Sequence, residues 1–382
     1  MTSNTPFALF YGLYFALVGC IVPFWGLYLQ HLDFSAHDIG VLMALFGVVR
    51  ILGPNIWTAQ AHHFRSPVSM VRWASVITVV LFCAIFLADN VWTVGLVMFA
   101  YGFFWSALLP QYESLCMQHI QQRVDVYSRI RLWGSVTFIL VVAGLGALFD
   151  VISIATLPLF MLVLMLLVTV NGWLLPTYES EAAGDGQKPQ FRQHLLSVPV
   201  LGFVLVNLLL YLSHGPYYTF FSIFLEEHGY SNTEIGLFWT VGVVAEVWLF
   251  WKFGRLLPLL SWRGWMIFCL LLTALRWIVV GLAVDSLWLL GLAQTIHAFS
   301  YGAMHAVSMR YVQTLFPGAL RSRGQALYSS VGFGAGGALG AYVSGLLWEP
   351  LGGAGVFLLA ALAALAALPV VWFMLPRERV TE

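Results

Sequence analysis

Long apolar stretches alternate with brief polar breaks along nearly the whole chain. A helix rising about 1.5 Å per residue needs roughly 20 apolar residues to cross the hydrocarbon core of a bilayer. Reading from one polar or turn-forming break to the next predicts twelve such helices, near 7–30, 38–60, 68–88, 92–117, 130–149, 152–175, 198–225, 234–253, 264–284, 287–312, 323–347 and 350–375. Most connections are a few residues long. The exception, PTYESEAAGDGQKPQFRQHLLS at 176–197, is polar and turn-rich. It separates an N-terminal six-helix bundle at 1–175 from a C-terminal six-helix bundle at 198–382. The first apolar run continues past Pro23 to Gln30 without a basic stretch ahead of it, and reads as a span rather than a signal peptide.

Composition turns this pattern into a class. Apolar residues make up 60% of the 382 and charged residues 9%, against about 25% charged in a soluble domain. Seventeen acids and seventeen bases cannot wet a globule of this size, so lipid must solvate most of its surface. The net charge of zero then carries no signal for nucleic acid, and none is expected as a partner. The distribution of charge does carry a signal. Every Lys and Arg except Arg50, Arg276 and Arg310 falls in one alternate set of connections, at the span ends that border them, or in the C-terminal tail. The opposite connections hold Asp33, Asp38, Asp89, Asp150, Glu226, Glu227, Glu234, Asp285 and Glu349, with no Lys or Arg. This positive-inside asymmetry puts both termini in the cytoplasm and requires an even number of spans. Without a large outer domain, the layout suits a bacterial cytoplasmic membrane and a monomer.

Several chemistries are absent. Cys20, Cys83, Cys116 and Cys269 are far apart and lack metal-ligand spacing, so they read as small hydrophobes, and no cofactor or metal is expected. No Ser/His/Asp set and no soluble domain supports an enzyme or a receptor. Gly332, Gly334 and Gly337 fit G-x-G-x-x-G but lie inside a span; Gly332, Gly336, Gly340 and Ser344 read better as a small-residue packing stripe.

The halves repeat. LYLQHLDFSAHDIG (27–40) and IFLEEHGYSNTEIG (223–236) align at an offset of 196 residues. In each, a serine stands three residues before an acid, Ser35 and Asp38 or Ser231 and Glu234, the signature of a capping box. The same offset sets Arg50 against Glu246, opposite charges at equivalent positions, and predicts a central site shared by the halves.

Five charged residues lie within spans: Arg50, Glu113, Glu246, Arg276 and Arg310; Arg131 stands at the mouth of the fifth. Each costs at least about 2.5–3.5 kcal/mol at mid-bilayer unless it faces protein or water. Arg50, Glu246 and Arg276 are about 18 Å into their helices, too deep to reach the surface easily. Glu246 and Arg276 fit either a fixed ion pair or a rearranging pathway network. Arg310 is near enough to an end to snorkel. His297, Tyr301 and His305 share one helical face, and Gly215-Pro216 beside His214 marks a helix break.

These residues resemble two branches of the major facilitator superfamily, whose transporters are built from two six-helix repeats. YSRIRLWGS (127–135), Glu113, GVVAE ending at Glu246, Arg276 and His297 are similar to the lactose permease family. That family keeps a glutamate three residues after its tenth-span histidine; here the position is Ser300. PFW (23–25), VVRILG (48–53), RLWGSV (131–136), GVVAEV (242–247), Arg276-Trp277 and the segment from His305 to Val312 resemble the 3-phenylpropionate transporter branch. The superfamily's loop signature G-x-x-x-D-R-x-G-R-R is replaced by the acid-free GPNIWTAQAHHFRS (53–66). The resemblance implies the major-facilitator fold and Glu113 and Arg131 as substrate contacts. It leaves the proton to another group: Glu246 first, Glu113 second, then His297 or His305.

The span arginines outnumber the span carboxylates, which favours an anionic substrate. The sequence therefore predicts proton symport of a small organic acid, such as an aromatic monocarboxylate. Arg50, Glu113, Arg131, Arg276, Tyr301, His305 and Arg310 are its candidate substrate residues, and Glu246, Glu113 and His297 its candidate proton-coupling residues. A neutral sugar or nucleoside is the alternative.

Overall fold

The computed structural model describes residues 4–60, 64, 66–177 and 194–377, so most of the predicted linker lies outside it. Among the described residues every regular element is helical. In chain order these are α1 (Thr5–His31), α2 (Ala36–Gln60), α3 (Pro67–Phe82), α4 (Val91–Trp105), α5 (Leu108–His119), α6 (Val124–Phe149) and α7 (Leu157–Leu174). Next come α8 (Val198–Ser213), α9 (Gly215–Glu227), α10 (Asn232–Leu256), α11 (Trp262–Leu282), α12 (Leu287–Thr295), α13 (Met304–Leu315), α14 (Arg321–Ser329) and α15 (Gly337–Met374). Two π-helical turns, Ala298–Ala303 and Ser330–Gly336, join α12 to α13 and α14 to α15.

The predicted caps form in both repeats. Ser35 Oγ donates to Asp38 at 2.6 Å while the Asp38 N–H returns to Ser35 Oγ at 3.2 Å. Ser231 Oγ donates to Glu234 at 2.9 Å and the Glu234 N–H returns at 3.3 Å. Each box satisfies N–H groups that a helix start leaves open. The chain also breaks where Gly215-Pro216 predicts: α8 ends at Ser213 and α9 begins at Gly215. There a Cβ on Gly215 would lie 2.2 Å from the Gly340 carbonyl carbon, and one on Gly336 would lie 2.8 Å from the Leu208 carbonyl oxygen. The small-residue stripe thus lets α15 and the π turn before it meet α8 and α9 backbone to backbone.

Among the described residues ten segments are long and apolar enough to cross a membrane, where the sequence predicts twelve. The difference has two local causes. One segment, Arg321–Met374, runs 54 residues and covers the predicted spans 323–347 and 350–375, with a non-helical Gly352 at φ 67°, ψ 165° near the start of the second. The predicted span at 287–312 is interrupted by the π turn at Ala298–Ala303, so neither flanking helix is long enough alone. Large apolar side chains such as Trp92, Leu96, Leu140, Trp288 and Leu362 are exposed along these segments, as a lipid-facing surface requires.

The chain divides into two compact units, Met1–Ala183 with Ser231–Leu237, and Gly184–Tyr230 with Phe238–Glu382. In the first, α1 packs on α6 and α7, and α3 on α4 and α7. In the second, α15 packs on α8, α9 and α11.

Candidate functional site

The second unit buries a polar network in its apolar interior. Arg276, on α11, is fully buried, its guanidinium 4.1 Å from the Tyr217 ring centre and 4.6 Å from that of Trp277. Both ring faces offer cation–π attraction, which strengthens in a dry site. Around its edge are neutral acceptors only. Nη2 donates to Gln294 Oε1 at 2.9 Å, and Nη1 donates to His297 Nδ1 at 3.1 Å and to Ser300 Oγ at 3.2 Å. Tyr217 also donates to Gln294 Oε1, at 3.1 Å, which fixes the amide's orientation. The Arg276 Nε and Gln294 Nε2 groups have no hydrogen-bond partner among the described residues.

Glu246, on α10, faces the other side of the imidazole, with His297 Nε2 and Glu246 Oε2 3.5 Å apart. Its side chain is 20% exposed against 7% for His297. Two glycines permit this approach. A Cβ on Gly302 would lie 3.0 Å from Glu246 Cγ, and one on Gly242 would lie 3.4 Å from His297 Cβ. Since Nδ1 accepts from a guanidinium, the ring proton is assigned to Nε2, toward Glu246. Arg276 and Glu246 are therefore linked through His297 rather than by the direct ion pair that the sequence allowed.

The predicted stripe on one helical face divides. Tyr301 stacks on His297, ring centres 5.3 Å apart and 7° from parallel. His305 instead bonds Tyr328 through Nδ1 at 2.8 Å, and the Tyr328 hydroxyl meets that of Tyr211 at 2.8 Å. The π turn between them adds a residue to the helical repeat and rotates the face of α13 that comes after it. Arg310 is half-buried, its guanidinium 5.7 Å from the Trp262 ring centre.

In the first unit, Tyr127 donates to Glu113 Oε1 at 3.2 Å. Arg131 lies over Phe15 at 3.8 Å and Tyr11 at 5.7 Å, and Tyr14 stacks on Trp105 at 4.7 Å. Arg50 is exposed and makes no hydrogen bond or ion pair to a described residue. Among the described residues, none of Arg50, Arg131, Arg276 and Arg310 has a carboxylate within salt-bridge distance.

Sequence reasoning missed Gln294 and Tyr328. The signal for Gln294 was present, a lone amide in the apolar run GLAQTIH three residues before His297. Tyr328 lies in a predicted span rich in small residues and carries no such mark.

Long apolar helices that enclose charged side chains fit a membrane transporter. The sequence matches the MFS_1 like family over residues 5–359, and the chain belongs to that family of major-facilitator secondary transporters. It is 29% identical over 371 residues to the "Probable 3-phenylpropionic acid transporter" of Escherichia coli (strain K12), covering 96% of this chain and 97% of that protein. It is 27% identical over 380 residues to the "Maltose permease" of Geobacillus stearothermophilus, covering 98% and 95%. The fold is similar to a mutant of the nucleoside transporter NupG, with a TM-score of 0.87 at 16% identity over 98% of this chain and all of that one. A bacterial homologue of the lysosomal transporter Spinster, inward-facing and occupied, matches at a TM-score of 0.76 and 14% identity over 98% and 97%.

Proposed function

We propose that this chain carries a small organic acid, of the aromatic monocarboxylate kind, into the cell together with protons, by alternating access. One observation carries the reading: none of Arg50, Arg131, Arg276 and Arg310 has a described carboxylate within salt-bridge distance. The two span carboxylates face Tyr127 and His297 instead. Arg276 is fully buried, and a buried cation without a counter-ion is costly, a cost that an anionic substrate would relieve. Arg276, Arg131, Arg50 and Arg310 are the proposed anion-binding groups, with Glu113, Tyr301 and His305 completing the substrate contacts. Glu246 and His297 are the proposed coupling pair, with Glu113 in reserve. Similarity to the Escherichia coli protein supports the aromatic acid. The proposed setting is a bacterial cytoplasmic membrane, with a monomer whose termini both face the cytoplasm and whose halves, 1–175 and 198–382, are joined by 176–197.

A neutral polar substrate, a sugar or nucleoside, is the second reading. It rests on the Glu113–Tyr127 hydrogen bond near Arg131, a donor and acceptor set suited to hydroxyl groups, and on the maltose permease similarity. Uptake of labelled 3-phenylpropionate and of maltose into proteoliposomes under an imposed pH gradient separates the two. Saturable uptake of the acid, driven by the gradient, is the expected result; saturable sugar uptake alone would overturn it.

A further inference from the structure

Resting on the reading of this site as an anion's, we propose that His297 is a toggle that ties anion binding to the uptake of one proton at its Nδ1 atom. In the structure that atom is occupied as an acceptor by Arg276 Nη1 at 3.1 Å, so the ring cannot take a second proton while the bond holds. Only Nε2 then bears hydrogen, facing Glu246 Oε2 at 3.5 Å. A substrate carboxylate competes for the same Nη1 donor, because a charge-assisted bond to an anion is about twice as strong as one to a neutral acceptor. Once the guanidinium turns to the anion, Nδ1 is a buried acceptor without a partner. A proton from the aqueous side fills it, forming an imidazolium with Glu246 as its counter-ion.

The charge balance sets the stoichiometry. Arg276 and Glu246 cancel in the empty network, and a bound monocarboxylate adds one negative charge to an interior that tolerates none cheaply. One proton restores neutrality, so acid and proton travel as a neutral pair. The proton goes to the imidazole because it is more basic than a carboxylate by about two pKa units in water, and because Glu246 can face it as an ion. The other ionisable groups facing the ring do not replace it. Tyr217 donates its hydroxyl to Gln294 and Tyr301 stacks on the ring face; His214 has Nδ1 on the Leu210 carbonyl at 2.8 Å and Nε2 without a described partner, but the charged groups acting on it are Arg276 and His297, with no carboxylate to balance a proton there. His305, within reach of Glu246, is engaged with Tyr328.

Arg276 is fully buried, so the exchange needs movement beside it. Ser300 lies within the π turn Ala298–Ala303 and His297 directly precedes it. A π turn holds poorer backbone geometry than an α-helix and is where such a segment rearranges most easily.

The test is calorimetric binding to the purified full chain in two buffers of different ionisation enthalpy, at a pH about one unit above the ordinary imidazole value of roughly 6.5. The probes are 3-phenylpropionate, benzoate and pyruvate, with 3-phenylpropanamide as the neutral isostere. The expected result is about one proton taken up per carboxylate bound and none with the amide. Glu246→Gln should bind the acid with no linked proton, since its empty network already carries the spare positive charge. His297→Gln should also lose the linked proton. Binding by the unaltered chain without proton uptake would overturn the toggle whatever the variants do. Proton uptake that persists in His297→Gln would overturn it too, by placing the proton elsewhere. Failure of every carboxylate to bind would overturn the anion reading and the toggle with it.

Discussion

Arg276 reaches Glu246 only through His297: its Nη1 donates to one ring nitrogen at 3.1 Å, and the carboxylate faces the other at 3.5 Å. A cation and an anion held apart by a neutral ring are each less than fully paired. That leaves the guanidinium free to prefer a better partner, which a direct ion pair would not.

Arg276→Lys should lower the transport efficiency by about ten- to a hundredfold. An ammonium is a point charge and cannot serve Gln294, His297 and Ser300 in the planar fork that a guanidinium offers. Losing one hydrogen bond of a charged group costs roughly 1.5–3 kcal/mol. Concentration-dependent uptake in proteoliposomes checks this. Unaltered kinetics would reduce Arg276 to a packing element.

Glu246→Gln should abolish accumulation against a gradient while sparing exchange of labelled for unlabelled substrate. The amide keeps a polar group beside His297 Nε2 but removes the counter-ion that an imidazolium requires. Counterflow and pH-driven uptake, measured on the same vesicles, separate the two activities. Accumulation at the original level would remove Glu246 from coupling.

Glu113→Gln distinguishes the two substrate readings. It removes a negative charge near Arg131 while retaining an acceptor for Tyr127, whose hydroxyl now donates to Oε1 at 3.2 Å. An anionic substrate should bind as well or more tightly, by up to about tenfold, as a repulsive charge disappears. A neutral polyol that relied on the carboxylate should instead lose affinity, and a binding titration with each ligand reads the difference.

Gly340→Ala should destabilise the second unit. The new Cβ would lie 2.5 Å from the Leu212 carbonyl oxygen and 2.8 Å from the Gly215 Cα. Those are backbone atoms, so helices must part, at a cost of about 1–3 kcal/mol. Gly337→Ala, three residues earlier on α15, meets nothing within 4 Å and should leave the melting temperature unchanged. Thermal unfolding of both variants in one detergent tests the pair.

Asp150→Asn should lower the melting temperature at neutral pH but not in acid. Asp150 accepts from the Asn232 N–H at 2.8 Å, the Thr233 N–H at 3.1 Å and the Thr233 hydroxyl, all within the first unit. Burial pushes its carboxyl up, but these bonds together outweigh that and hold it below the usual 3.8. A carboxylate with a lowered folded pKa contributes stability above its ordinary value and loses it as pH falls through the lowered one. The two proteins should therefore differ at pH 7 and converge below pH 3.8. A constant gap across that range would mean that the carboxylate's charge is irrelevant there.

Much of the architecture was legible from residues in order. Lipid solvation acts residue by residue, and helix hydrogen bonds close within four residues, so apolar run length alone set where most spans lie. The capping boxes at Ser35–Asp38 and Ser231–Glu234, the break at Gly215-Pro216 and the close-packed glycines before Ser344 are equally local signals. So was the presence of arginines and glutamates inside spans, since their cost to the bilayer does not depend on which neighbour they find. Which groups meet is a different matter. It depends on the rotation and depth of each helix, and these are set by packing around the whole unit. Only the tertiary structure placed His297 between Arg276 and Glu246, brought Gln294 to the edge of the guanidinium, and sent His305 to Tyr328. The π turn at Ala298–Ala303 shows why: one added residue turns the next helical face away from the stripe that a 3.6-residue period predicts.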